Sequence, residues 1–243
     1  SRSREALCSH RIAHTWYERG YSFPKGSASL SELSKQPMKI LFALPGLHKY
    51  HRGAEVAFIE IARELVNLGA SVTLVGSGRH SAKEPYNFVH CPSISRTVFE
   101  RFPKAPVFRN EYAYEEFTFA LGLYGRFRPS QFDITVTCNF PFTNWALRQG
   151  GNQRPRHVFV TQNGDWPAQS RSAEYRFFSC DALVCTNPDF FERNRGRWQC
   201  RLIPNGVDLK RFAPDVADLA RRRDYFNILM VSALMESKRV ADG

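Results

Sequence analysis

The chain has 243 residues, 43% of them hydrophobic and 23% charged, a balance that fits a folded globular protein with one full core and the start of another. No apolar run approaches the ~20 residues of a membrane-spanning helix, and no early segment has the apolar centre of a secretory signal. The formal net charge of +11 directs attention to anionic partners such as phosphorylated substrates or an anionic membrane surface. No nucleic-acid-binding motif accompanies the basic residues, so nucleic acid is not an expected partner.

Residues 1–37 are rich in Ser, Arg and Gly and punctuated by Pro24, Gly26 and Pro37. They read as a poorly ordered extension. The pattern changes at Met38. Lys39 to Leu44 is a continuous apolar run of the kind buried on both faces of a parallel sheet. The loop Pro45 to Gly53 follows. Ala54 to Leu68 carries apolar residues at helical spacing (Val56, Ile59, Ala62, Leu65, Val66), and Gly69 is its stop signal. Ser71 to Val75 completes a βαβ unit, whose crossover is expected to be right-handed.

The alternation continues with a strand at Phe88 to Cys91, a helix over Phe108 to Phe127 ended by Pro129, and a strand at Asp133 to Thr137. Next come a helix at Thr143 to Arg148, strands at His157 to Thr161 and Ala182 to Cys185, a helix at Pro188 to Asn194, and a last strand at Arg201 to Ile203. Thr186-Asn187-Pro188 supplies a cap and a first-turn proline. Strands alternating with helices predict an α/β fold, a Rossmann-like doubly wound parallel sheet spanning 38–207. Residues 208–225 are polar and read as a linker. Asn227 to Ser232 starts a second Rossmann-like domain over 226–243, with no partner strand before Gly243.

The six cysteines (Cys8, Cys91, Cys138, Cys180, Cys185, Cys200) form no Cys-x-x-Cys pair. They read as buried reduced thiols of a cytoplasmic protein, and zinc-ligand spacing is absent, so no metal is expected.

Four segments carry chemistry. The loop after the first strand presents His48, Lys49, His51, Arg52 and Gly53, followed by Glu55. A glycine at a helix N-terminus leaves backbone N–H groups open to a phosphate, although the loop is not Gly-x-Gly-x-x-Gly. Thr161-Gln162-Asn163-Gly164-Asp165-Trp166 follows a strand. Gln162, Asn163 and Asp165 are suited to sugar hydroxyls and Trp166 to a sugar face. The alternative is a structural turn in which Asp165 satisfies local backbone groups and Trp166 fills core. In Ile203-Pro204-Asn205-Gly206-Val207-Asp208, Asn205-Gly206 makes a turn and Asp208 caps a short helix from Leu209. The last strand is followed by Lys238 and Arg239, two cations suited to a diphosphate.

In order and spacing, His51-Arg52-Gly53-Ala54-Glu55, Ile203 to Asp208 with Phe212 and Pro214, and Ser232-Ala233-Leu234 with Ser237-Lys238-Arg239 resemble the family-four, GT-B-type retaining glycosyltransferases. The likeness covers Met38 to about Gly243. It implies two Rossmann-like domains, the first holding a carbohydrate or lipid-linked acceptor and the second a nucleotide-sugar donor. It implies no cofactor beyond that co-substrate and no metal. It places Gly53 by the donor phosphate or transferred sugar and makes Lys238 the phosphate-binding lysine, with Arg239 beside it. His48, His51, Arg52, Glu55, Gln162, Asn163, Asp165 and Trp166 become acceptor-side candidates. The chain departs from the family at Ser232-Ala233, where Gly-Arg is usual, and at Gln162-Asn163, where a histidine is common. The family's paired glutamates lie past Gly243, so the expectation is a fragment inactive by itself. A GT-B epimerase acting on nucleotide sugars, or a non-catalytic binding domain of the same fold, are the alternatives. A peripheral position on a membrane is a further expectation from the charge.

Overall fold

The computed structural model describes residues 36–79, 83–101, 110–171 and 174–209. The chain divides into two units, Ser1–Leu202 and Ile203–Gly243. Of the second, the described part is the exposed, irregular segment Ile203 to Leu209. The expectations for nearly all of the extension, for most of the linker, for the strand at Asn227 to Ser232 and for Lys238 and Arg239 lie outside the described residues.

Among its described residues the first unit has seven strands: β1 Lys39–Ala43, β2 Ser71–Gly76, β3 Asn87–His90, β4 Ile134–Thr137, β5 Arg156–Val160, β6 Ala182–Cys185 and β7 Cys200–Leu202. All pair in parallel, in the order β3-β2-β1-β4-β5-β6-β7. This is the Rossmann-like doubly wound sheet expected from the alternation. The strand order reverses between β1 and β4, so the loops after these two strands part in opposite directions and open a crevice at their carboxyl ends.

Among the described residues four α-helices connect the strands: α1 Gly53–Asn67, α2 Glu111–Arg126, α3 Phe142–Leu147 and α4 Pro188–Asn194. The pleat sends alternate side chains to opposite faces. Ile40, Phe42, Val72 and Leu74 pack with Phe58 and Ala62 of α1. Leu41, Ala43 and Val75 pack with Phe119, Ala120 and Leu123 of α2 and with Phe142, Ala146 and Leu147 of α3. Phe159 and Leu183 continue that second face toward Phe178.

Helix ends follow local chemistry. Gly69, at φ 90°, closes α1 with two bonds, Gly69 N–H to Val66 O at 2.9 Å and Ala70 N–H to Leu65 O at 2.9 Å, the paired C-terminal pattern that a left-handed residue permits. Asn187 Oδ1 accepts from Phe190 N at 2.9 Å and Pro188 occupies the first turn, as expected. Asn110 accepts from Ala113 N at 3.0 Å, which starts α2 later than the expected Phe108. The strands β3, β4, β5 and β7 are displaced by one residue from their expected limits.

One polar row crosses the second face. His157, fully buried, lies between Thr135 Oγ1 (3.0 Å) and Asn144 Nδ2 (3.1 Å), and its backbone N–H donates to Asp181 Oδ2 at 2.7 Å. Burial, with Arg148 nearby, holds this imidazole down to about 3. Glu116, on α2, is also buried and accepts from Thr143 N at 3.1 Å. Burial pushes its carboxyl up to about 7. The five described cysteines are free thiols. Burial raises Cys91 to about 11, Cys180 and Cys185 to about 12, and Cys138 well above its ordinary value.

These shifts set a pH profile. The unfolded His157 gains its proton below about 6.5 while the folded one does not, so its contribution weakens stability as pH falls. Folded Glu116 takes its proton near 7 and the unfolded one near 4.5, so its contribution strengthens stability over that range. The slopes, each about 1.4 kcal/mol per pH unit, oppose one another between about pH 6.5 and 4.5. Glu116→Gln is expected to remove the compensation. Its urea midpoint should then fall steadily below about pH 6.5 while the parent's stays level to about pH 4.5. Parallel profiles for the two proteins would contradict this pairing.

Candidate functional site

The loop from Leu44 to Arg52 sits at the carboxyl end of β1, beside the crevice. It folds back over the end of β2. Ser77 N–H donates to Pro45 O at 2.9 Å and Ser77 Oγ to the same oxygen at 2.6 Å, while Gly78 N–H donates to Leu47 O at 3.0 Å. The fit depends on two missing side chains. A Cβ on Gly76 would stand 2.5 Å from Leu47 Cβ, and one on Gly78 would stand 2.0 Å from the His48 carbonyl carbon. His48 itself adopts φ 58°, the left-handed region that non-glycine residues seldom enter. Its Nε2 lies 3.0 Å from Tyr86 Oη, and its ring meets Phe88 edge-on at 4.9 Å. The structure thus ties His48 to the β2–β3 side of the loop.

Beyond His48 the loop turns toward α2. Tyr50 Oη lies 3.1 Å from Ser95 Oγ, and the Arg52 guanidinium stacks 4.4 Å above the Tyr50 ring. Arg52 donates to Glu55 Oε1 from Nε at 2.9 Å and from Nη2 at 2.5 Å. Glu55 is buried. Gly46 makes room for that ion pair, since a Cβ there would stand 1.9 Å from Glu55 Oε1. Arg52 also approaches Glu115 Oε2 at 4.0 Å, and Arg96 Nε donates to the same oxygen at 2.5 Å. Two buried carboxylates are therefore matched by two guanidiniums.

The positive end of α1 remains. Its first helical bond is Val56 N–H to Arg52 O at 3.0 Å, so the N–H groups of Gly53, Ala54 and Glu55 are the donors of its first turn. Arg52 makes no side-chain cap to this helix. His51 and Gly53 are exposed. A Cβ on Gly53 would meet nothing within 4 Å. Unlike Gly46, Gly76 and Gly78, this glycine is not required by the protein's own packing. Helix-terminal donors with the positive end of the dipole suit a phosphate or an anionic oxygen.

The loops after β4 and β5 form the other wall. Asn163 Nδ2 donates to Asn139 Oδ1 at 2.7 Å and approaches Cys138 Sγ at 3.3 Å. Glu55, Glu116 and Arg52 all bear on the Cys138 thiol, which joins this wall to the loop after β1. Gln162 follows β5 on the same loop, with its N–H donating to Val160 O at 2.9 Å. Asp165 and Trp166 turn away to support it. Asp165 accepts from Arg193 Nε at 2.8 Å and from Asn194 Nδ2 at 2.7 Å. Trp166 stacks on Tyr175 at 5.8 Å.

The structure thus brings Arg52, Gly53, Glu55 and Asn163 to one end of the sheet and gives Asp165 and Trp166 partners in the fold. Sequence reading missed Arg96, Glu115, Glu116 and Asn139. A Glu-Glu pair within a helix reads as a solvated face, and Arg96 precedes no recognisable motif.

Two substitutions test this architecture. Gly78→Ala must displace backbone and is expected to cost about 1–3 kcal/mol. Glu115→Ala leaves Arg96 without its carboxylate and is expected to cost about 3 kcal/mol. Urea unfolding measures both, and losses under about 0.5 kcal/mol, the scale of ordinary surface changes, would contradict the packing described.

Residues 51–211 match the family model of Glycosyltransferase Family 4. No curated protein matches the chain. Among solved structures, it is similar to sucrose-phosphate synthase from Thermosynechococcus elongatus, at 16% identity and a TM-score of 0.49, over 77% of this chain and 53% of that one. It is also similar to a glycosyltransferase from Rickettsia africae ESF-5, at 16% identity and a TM-score of 0.47, over 75% of this chain and 48% of that one. The chain spans about half the length of these solved relatives. With most of its residues matched by the family model, the chain belongs to Glycosyltransferase Family 4.

Proposed function

We propose that the protein transfers a sugar from a nucleotide-sugar donor to a carbohydrate or lipid-linked acceptor, with retention at the anomeric carbon. The observation that carries this reading is Gly53, on the first turn of α1 at the crevice, with open space where a Cβ would stand. That space admits a donor phosphate or the sugar itself close to the N–H groups of the helix end. Asn163, Gln162 and His51 serve the acceptor side as hydrogen-bonding groups. Arg52 and Glu55 hold the loop and neutralise one another. Lys238 and Arg239 are the cations assigned to the departing diphosphate, whose developing charge they offset. A front-face attack by the acceptor hydroxyl beside the leaving group asks for positioning and cations more than for a protein nucleophile. The protein acts without a metal in this proposal, in the cytoplasm and peripherally on an anionic membrane surface.

Gly53→Ala separates chemistry from folding. Alanine suits a helix better than glycine by about 0.5–1 kcal/mol, and its methyl meets nothing. The melting temperature should hold or rise, while transfer by the full-length protein from a labelled nucleotide sugar falls by about two orders of magnitude, the scale that a 1 Å misplacement costs. Lys238→Ala should depress turnover while sparing the fold. Product analysis reads the reaction type, because a new glycosidic bond supports transfer and an isomerised donor supports an epimerase. Unchanged transfer in Gly53→Ala would remove the role given to that glycine.

A further inference from the structure

We propose that the α2–α3 face of the sheet is the surface through which the protein docks on an anionic lipid bilayer. This deepens, and rests on, the peripheral-membrane part of the reading above, and is independent of the transfer chemistry.

Four large apolar side chains stand out of this face. Leu121 is 58% exposed, Tyr124 64%, Trp145 38% and Phe177 53%. They come from three segments that cover the same side of the sheet: α2, α3, and the turn Glu174–Phe177 that precedes β6. They are also continuous. Leu121 lies one turn from Phe117, which meets Phe142 at 5.1 Å. Phe142 meets Trp145 at 5.6 Å, and Trp145 meets Phe177 at 6.3 Å. The exposed side chains are thus linked through Phe117 and the buried ring of Phe142. Leu121 and Tyr124 are three residues apart on α2 and share a side of it.

Charge identifies the occupant. Residues 117–178 hold seven arginines (Arg126, Arg128, Arg148, Arg154, Arg156, Arg171, Arg176) against Asp133, Asp165 and Glu174; Arg154 is paired with Asp181, and Arg156, which alternates with His157 on β5, belongs to the opposite face, which leaves five. Asp133 Oδ2 already accepts from Lys39 N, and Asp165 is paired with Arg193. Arginines border these apolar side chains. Arg176 stacks on Phe177 at 4.7 Å, Arg148 donates to Phe177 O at 3.0 Å, and Arg128 is exposed just past the end of α2. Aromatic rings that sit at the headgroup level, beside long cationic side chains able to reach phosphates, match a bilayer interface. Apolar insertion and basic attraction together give binding that neither gives alone. Among the described residues, no helix is long and apolar enough to cross the membrane, so the contact is superficial.

Co-sedimentation of the full chain with vesicles tests this, comparing phosphatidylcholine alone with phosphatidylcholine containing phosphatidylglycerol. The wild type is expected to bind the anionic vesicles at least about tenfold more tightly. Leu121→Ser/Tyr124→Ser and Phe177→Ser should each weaken that binding severalfold, and Arg128→Gln and Arg176→Gln by about fivefold each, near the worth of one basic residue at such a surface. The substituted side chains are exposed, and thermal unfolding of each variant checks that the fold is intact. A wild type with no preference for anionic vesicles overturns both the membrane reading and this face. Anionic preference that all four variants retain overturns this face and leaves the membrane reading standing. Binding to polyglutamate as strong as to vesicles, lost in the same variants, overturns the lipid in favour of an acidic protein. In each case the transferase proposal is judged separately, by the sugar product.

Discussion

The loop after β1 has to lie flat on the end of β2 before anything else in the crevice can take its place. Its closeness is set by two positions where a side chain is missing. At Gly76 and Gly78 the loop backbone comes nearer than a methyl group would permit. This seating turns His48 through a left-handed conformation and sends Arg52 back toward the sheet. The start of α1 then projects Gly53 into the open. The parallel sheet supplies the crevice, while the glycines supply the angle at which the helix end faces it.

The charges behind that helix end are balanced internally. Glu55 and Glu115 are withdrawn from water and answered by Arg52 and Arg96. Buried pairs of this kind contribute little net stability, yet losing one member is costly. Their effect here is to fix a geometry and to cancel a field. The dipole of α1 is then left as the uncompensated positive feature at the crevice. Glu116, one residue along, is answered by a backbone N–H instead and lies near neutrality in its proton affinity. Neighbouring glutamates on one helix thus meet different partners, a guanidinium for Glu115 and a backbone N–H for Glu116.

Where pattern and packing coincide, the sequence was easy to read. The apolar run of β1, the helical spacing of α1 and Gly69 at its end were each visible because local preference and tertiary role agree. Boundaries slipped by a residue at short strands, as at β5, which takes in the polar Arg156 and stops before Thr161. The 3-10 turn Arg96–Arg101 left no pattern, since a single tight turn has no period to detect. In the crevice, Gly53 and Asn163 were legible from their place after strands. Asn139 was not, because its meaning depends on Asn163 arriving from another loop. Trp166 and Asp165 had two readings in sequence. Their observed partners are the side chains of Tyr175, Arg193 and Asn194, contacts that no local spacing encodes.

The described cysteines have a consequence outside the crevice. Cys91, Cys138 and Cys185 are wholly enclosed, and burial keeps each of them protonated at neutral pH. Only the thiolate attacks alkylating reagents. In the folded protein these sulfurs are hidden twice, once from the reagent and once from ionisation. Opening of the sheet cancels both protections together. The native chain therefore carries its own clock for unfolding: the rate at which label accumulates at Cys91, Cys138 and Cys185 reports how often the core opens.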